Sequence, residues 1–213
     1  SPHRTKDTKA PGFTVPRLTL DNFLFQKMAS PYCSIYQNVK VSNITSVNNK
    51  VNVSMSHGGI EYELTAPVII GADGDKSIVR KKYLNENTSP KTYAVGLRGY
   101  YEGVSGMHTD NFIELHCLPE MLPGYLWIFP LPNGMANVGV GILSERIREK
   151  KINLREQMLF AIKNNPQIAP RFANATLTDK IQGWGLPLAM SRQPLSGDNF
   201  MLTGDAGALI DPF

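Results

Sequence analysis

The 213-residue chain carries 22 Lys and Arg against 18 Asp and Glu, and 42% of its residues are hydrophobic. That length suits one large domain or two small ones, and the scattered basic residues, gathered only at 80–82 and 146–151, read as solvated helix ends and speak against a nucleic-acid footprint. No run reaches the roughly 20 apolar residues of a membrane span, and the polar, proline-containing first residues are unlike a signal peptide.

The opening SPHRTKDTKAPG reads as loop. Thr19 is placed to cap a helix bearing Leu20, Phe23, Leu24 and Lys27, which ends near Ser30 and Pro31. Alternation over 39–53 around Asn48-Asn49 predicts strand, turn, strand, and a third strand follows at 60–64. Pro67 to Ile70 is a short apolar run closed by Gly71, the pattern of an interior strand of a parallel sheet. After Ser89-Pro90 the character changes: segments at 93–101, 112–117, 126–131 and 137–143, separated by Gly and Pro turns, predict an antiparallel sheet. Asn153, with Glu156 three residues on, caps a helix whose apolar stripe is Leu154, Met158, Ala161 and Ile162, and Asn165-Pro166 stops it. Extended segments at 182–188 and 200–203 follow, the second running into Gly204. The order is α/β, then antiparallel sheet with a helix, then α/β again. The fold class is therefore mixed α/β, with a domain of residues 89–191 inserted into one formed by 1–88 and 192–213.

Two turns carry the chemical signal. In GADGDKSIVR, residues 71–80, the glycines permit backbone geometry closed to other residues. Asp73 there either accepts hydrogen bonds from ligand hydroxyls or caps the helix that opens after the turn, and spacing does not choose between the two. Ser77 and Arg80, three apart, fall on one side of that helix. In LTGDAGALIDPF a strand ends at Gly204, Asp205 follows where a carboxylate can bind a polyol, Ala206, Gly207 and Ala208 leave room for a flat ligand, and Pro212 stiffens the exit. Each turn suits the approach of backbone amides to a dinucleotide.

As a pair, GADGDKSIVR and NFMLTGDAGALIDPF resemble the Asp-Gly and Gly-Asp fingerprints of the flavoprotein superfamily that includes the aromatic hydroxylases, squalene epoxidase and the geranylgeranyl reductases. Between them, PGYLWIFPLPNGMANVGVG, residues 123–141, is similar to the substrate-domain signature of the geranylgeranyl reductase branch, and AVGLRGYYEGV, residues 94–104, to the strand that opens that domain. The resemblance implies FAD as cofactor and NAD(P)H or another reductant as electron donor. It implies that Asp205 binds the ribityl chain with Gly204, Ala206, Gly207 and Pro212 packed close by, and that Asp73, Gly74 and Arg80 support the pyrophosphate side. It also implies that Tyr125, Trp127, Phe129 and Pro130 face a small apolar substrate such as a polyprenyl lipid, with peripheral membrane contact. The period of two puts Tyr125, Trp127 and Phe129 on one strand face, although Trp127 and Phe129 would serve equally as core.

The chain departs from the family pattern in lacking the GxGxxG turn that cradles a pyrophosphate and the helix that follows the second fingerprint, so it reads as a fragment expected to hold FAD weakly by itself. The resemblance implies a flavin-mediated reductase of isoprenoid double bonds. The alternatives are a flavin monooxygenase or halogenase of an aromatic ring, and a non-catalytic lipid- or partner-binding remnant. No metal site or Ser/His/Asp set is expected, and Glu114 and His116 read as a surface pair. Cys33 and Cys117 belong to no CxxC pair, so reduced thiols in a cytoplasmic protein are the expectation.

Overall fold

The computed structural model describes residues 14–85, 89–190 and 192–212. Helix α1 spans Arg17–Lys27 and begins after Pro16, whose carbonyl accepts from the amides of Thr19 and Leu20 at 3.0 and 3.1 Å. Thr19 therefore lies inside the first turn and is not its cap. Proline at the helix boundary has no amide to leave unpaired and a pre-set φ, which moves the start two residues upstream of the hydroxyl.

Strands β1 (Lys40–Val47), β2 (Lys50–His57) and β3 (Ile60–Ala66) form an antiparallel meander. Asn48 and Asn49 sit at φ 50° and 60°, so the first hairpin closes through a left-handed two-residue turn with Val47 opposite Lys50. Among the described residues, Ile44, Val51 and Val53 are the buried side chains of this sheet, and they pack with Val79 of helix α2 (Ile78–Leu84).

Strand β4 (Ile69–Gly71) precedes α2. The insertion begins with β5 (Tyr93–Glu102), β6 (Glu114–His116), β7 (Tyr125–Pro130) and β8 (Met135–Leu143), continues through helices α3 (Ser144–Lys150) and α4 (Leu154–Asn164), and ends with β9 (Thr176–Leu177) and β10 (Gln182–Pro187). Its sheet runs β10-β5-β8-β7-β6, all antiparallel, with β9 added on β5. Strands β11 (Ser196–Gly197) and β12 (Phe200–Leu202) then return the chain, and β12 pairs in parallel with β4. Among the described residues β4 is an edge strand of this small sheet, with Ile70 60% exposed, so the expectation of a strand buried on both faces is corrected. Apolar composition marks a strand that can be covered; it does not state that a cover is present.

The buried residues divide into two clusters. One joins Ile44, Val51 and Val53 to Val79, Phe200, Leu202 and Ala206; the other is built from the large sheet and α4. Alternation explains the second. Leu126 and Ile128 of β7 and Val138, Val140 and Ile142 of β8 point to one side, where Leu154, Met158 and Ala161 of α4 cover them. Asn153 caps α4, its Oδ1 accepting from the Glu156 amide at 3.3 Å, and Glu156 lies in the first turn, where it suits the helix dipole. The short α3 lies over the start of β5 and was foreshadowed only as a basic cluster.

Candidate cofactor and substrate site

The opposite face of the large sheet is of another kind. Cross-strand register sets Tyr125 against Gly141, Trp127 against Gly139 and Phe129 against Asn137, and Gly141 in turn against Gly96. The three aromatics form a continuous row: ring centroids of Tyr125 and Trp127 are 6.2 Å apart at 61°, and those of Trp127 and Phe129 are 6.0 Å apart at 30°. Trp127 lies flat because the floor has no side chains. A Cβ on Gly139 would stand 2.2 Å from the indole ring and 2.3 Å from the Leu97 carbonyl. The indole N–H donates to Asn137 Oδ1 at 3.0 Å, which fixes the ring in the plane of the sheet.

Pro130 is where the aromatic row ends differently from the expectation. It is buried on the other face with Leu126 and Ile128, as the period of two requires, so its ring turns to the core and away from the aromatic surface. A Pro after Phe continues the motif in sequence but changes sides in space.

The two fingerprint turns converge, and Arg80 is the reason. Its side chain is 4% exposed. Nη1 donates to the carbonyls of Asp205 and Ala206 at 3.0 and 3.2 Å, and Nη2 donates to the carbonyl of Asp75. A guanidinium taken out of water needs donors satisfied, and three backbone oxygens from two separate turns satisfy it while tying those turns together. The α2 N-terminus is set by Ser77, fully buried, whose Oγ accepts from the Arg80 amide at 3.0 Å.

The two carboxylates are used differently. Asp73 Oδ2 accepts from the Ile78 amide at 2.8 Å and so holds the first turn of α2. Asp205 accepts no hydrogen bond through its carboxylate among the described residues; it opens into a cavity of about 410 Å³ shared with Arg17, Arg98, Trp127 and Trp184. Arg17 is held above its ordinary basicity by its hydrogen bond to Asp21 at 2.9 Å and by that carboxylate's charge, with Asp205 adding a smaller pull. Gly74 and Gly204 adopt φ 75° and 56°, conformations that strain a residue with a Cβ, and open space lies where the Cβ would be. Ala206 and Gly207 are buried behind Asp205. Beyond Trp127 and Leu186 a second cavity of about 250 Å³ continues along Tyr125, Met190, Ile210 and Pro212. The second fingerprint thus meets the aromatic row at both ends of one groove.

Three functional-looking contacts escaped sequence reasoning. Asp75, next to the second glycine of the first fingerprint, accepts from the Tyr93 hydroxyl at 2.5 Å, and Gly185 makes room for the pair. Burial first, then this hydrogen bond and the carboxylate's charge, push the Tyr93 phenol up to about 12. Arg98 lies between the rings of Tyr100 and Trp184. Glu114 and His116 are half-buried, not a surface pair: Arg171 grips Glu114 through both guanidinium arms at 2.5 and 2.8 Å, and His116 Nε2 lies 3.2 Å from it. Burial raises the Glu114 carboxyl, but the Arg171 hydrogen bonds and charge, with His116 adding to them, leave it below its ordinary value. The glutamate and arginine stand 57 residues apart, and no local spacing announces them.

In fold, the converging turns and the inserted sheet are similar to those of solved flavoproteins, among them a reductase-like protein and flavin-dependent halogenases. Residues 104–172 match the geranylgeranyl reductase catalytic domain, the segment that holds β6, β7, β8, α3 and α4. Over 94% of its length the chain is 28% identical to a digeranylgeranylglycerophospholipid reductase of Methanosarcina mazei, covering 48% of that protein, and 29% identical to one of Methanosarcina acetivorans, again covering 48%. A flavin-dependent halogenase of Armillaria mellea is 25% identical over 93% of the chain and 42% of the relative. Among solved structures, a flavoprotein/dehydrogenase of Cytophaga hutchinsonii superposes with TM-score 0.75 at 24% identity over 94% of this chain and 49% of that one. A geranylgeranyl bacteriochlorophyll reductase-like protein of Thermoplasma acidophilum gives 0.69 at 22% over 82% and 43%. At these identities the structures establish the fold. The chain spans about half the length of the curated relatives it matches.

Proposed function

We propose that the protein containing this chain is a flavin-dependent reductase of carbon–carbon double bonds in a polyprenyl lipid, with NAD(P)H or another reductant supplying electrons. The observation that carries the reading is the groove itself: at one end the Asp205 carboxylate, which accepts no hydrogen bond among the described residues, at the other a mostly apolar cavity, and the flat Trp127 between them.

The residues present fit FAD on its ribityl side. Asp205 offers a free acceptor for polyol hydroxyls, Gly204 and Gly74 leave space on the same side, and buried Ala206 and Gly207 keep the turn thin enough for close approach. Asp73 and Arg80 hold these turns in place through their own backbone contacts and support the cofactor by that route. Bound FAD supplies hydride chemistry, and the protein supplies binding, orientation and exclusion of water. Trp127, Tyr125 and Phe129 present a continuous aromatic surface against which a prenyl chain lies extended, which fixes the double bond relative to Asp205 and its turn. Pro212 and Met190 close the apolar end. No helix among the described residues is long and apolar enough to cross a membrane.

The test is anaerobic turnover by the full-length, FAD-loaded protein of a geranylgeranyl lipid with NADPH or dithionite, read by mass spectrometry. Gain of hydrogen across isoprene units supports the reading. Oxygen-dependent hydroxylation, or halide- and oxygen-dependent modification of an aromatic ring, would transfer the protein to the halogenase and monooxygenase side of the superfamily, toward which the Armillaria relative points.

A further inference from the structure

We infer that Arg98 is a specificity-determining anion subsite that receives the phosphate at the head of the lipid substrate. The inference rests on the reading of the groove as a polyprenyl-lipid site and adds the recognition of the polar end of that lipid.

Arg98 lies on β5, on the same sheet face as Trp127. Its guanidinium carbon stands 4.8 Å from the Tyr100 ring centroid and 5.5 Å from that of Trp184, which projects from β10 beside it. Two ring faces hold the planar cation without using its N–H groups, because a ring face attracts the guanidinium through its quadrupole and accepts little in-plane hydrogen bonding. Among the described residues no hydrogen bond or ion pair engages those N–H groups. The cavity contains two carboxylates, Asp21 and Asp205, and both act on Arg17. Arg98 is left as a fixed, oriented cation with an open fork facing the groove.

The layout matches one amphiphile. A guanidinium fork suits the paired oxygens of a phosphate, in a geometry that a lysine ammonium does not reproduce. Past Trp127 and Leu186, which line both cavities, the lining is mostly apolar, with Asp211 its one carboxylate, so a head group at Arg98 leaves its chain along Tyr125 and toward Pro212. A free phosphate, a prenyl diphosphate and a phospholipid head share the chemistry Arg98 would recognise.

The experiment compares geranylgeranyl diphosphate, geranylgeraniol and inorganic phosphate as ligands of the full-length, FAD-loaded protein and of its Arg98→Gln and Arg98→Lys variants, by calorimetry, with FAD stoichiometry and far-ultraviolet circular dichroism as controls. Wild type should hold the diphosphate about tenfold more tightly than the alcohol. In R98Q that ratio should fall to near unity with FAD content and fold unchanged, and R98K should recover part of it. Inorganic phosphate should bind weakly and compete with the diphosphate and not with the alcohol, which distinguishes a head-group subsite from a free-phosphate site. A ratio unchanged in R98Q overturns the inference while leaving the reductase reading intact. Loss of FAD from both folded variants also overturns it, because Arg98 then serves the cofactor. Failure of wild type to bind either prenyl compound sinks the lipid-substrate reading and the inference together.

Discussion

Asp73 and Asp205 occupy mirror-image sequence settings, one in Asp-Gly and the other in Gly-Asp, each just past one of two strands that pair in parallel in the same small mixed sheet. Their carboxylates nevertheless have different destinations. That of Asp73 closes on the Ile78 amide, whereas that of Asp205 meets a cavity, and it is the Asp205 backbone carbonyl that accepts, from Arg80 and the Ala208 amide. The turn after β4 is built to be held, and the turn after β12 is built to hold something else. A carboxylate's role follows from what stands within hydrogen-bonding range, which a fingerprint does not state.

The comparison is most severely tested at Arg80, which joins the two turns. Arg80→Met should destabilise the full-length protein by about 3 to 5 kcal/mol in urea unfolding, because three backbone carbonyls lose a charged donor in a buried place. A midpoint within experimental error of wild type would show that the turns converge without it.

Next in size is the floor under Trp127. Gly139→Ala should cost about 1 to 3 kcal/mol and shift the tryptophan fluorescence, since the new methyl overlaps the indole and a backbone carbonyl. The carboxylates themselves come third and should separate cleanly. Asp73→Ala should cost about 1 kcal/mol of stability through the lost cap, whereas Asp205→Asn should leave stability within about 0.5 kcal/mol and weaken FAD retention in dialysis. Equal effects of the two substitutions on both readouts would erase the distinction.

The tether between the first turn and the large sheet should show in alkaline solution. Tyr93 titrates near 12 when folded against 10 when exposed, so the stability it contributes is complete below pH 10 and is lost as pH rises through 12. Tyr93→Phe should flatten the unfolding midpoint across that window. At the acid end the sign reverses. Glu114 is depressed, so its contribution is present above pH 4.5 and fades as pH falls below that value; Arg171→Gln should make that acid dependence shallower. The smallest change is Ala208→Gly. Ala208 sits at φ 48°, a left-handed position that glycine occupies without strain, and the replacement should stabilise by up to about 1 kcal/mol in thermal unfolding.

Much of this architecture was legible in sequence, for identifiable reasons. Strands β5, β7 and β8 announce themselves because one face is covered and the other is not, which forces alternation, and the Asn48-Asn49 turn and the Asn153 cap are local chemistry. Helix α3 did not announce itself, having Ile147 as its one large apolar side chain among charged residues. The site divided in the same way. The Gly-Asp turn and the Tyr-x-Trp-x-Phe row are contiguous and could be read, while Arg80 with Asp205, Asp75 with Tyr93 and Arg98 with Trp184 are pairs made by topology across long separations. Pro130 was misplaced through grouping it with its sequence neighbours when the pleat sends it to the opposite side.

The glycines at 96, 139 and 141 have one more implication. By withholding side chains at three neighbouring positions, two on β8 and one on β5, they leave the Trp127 indole resting on bare backbone, so its height above the sheet is set by the main chain and a Cβ restored at any of them would meet the ring.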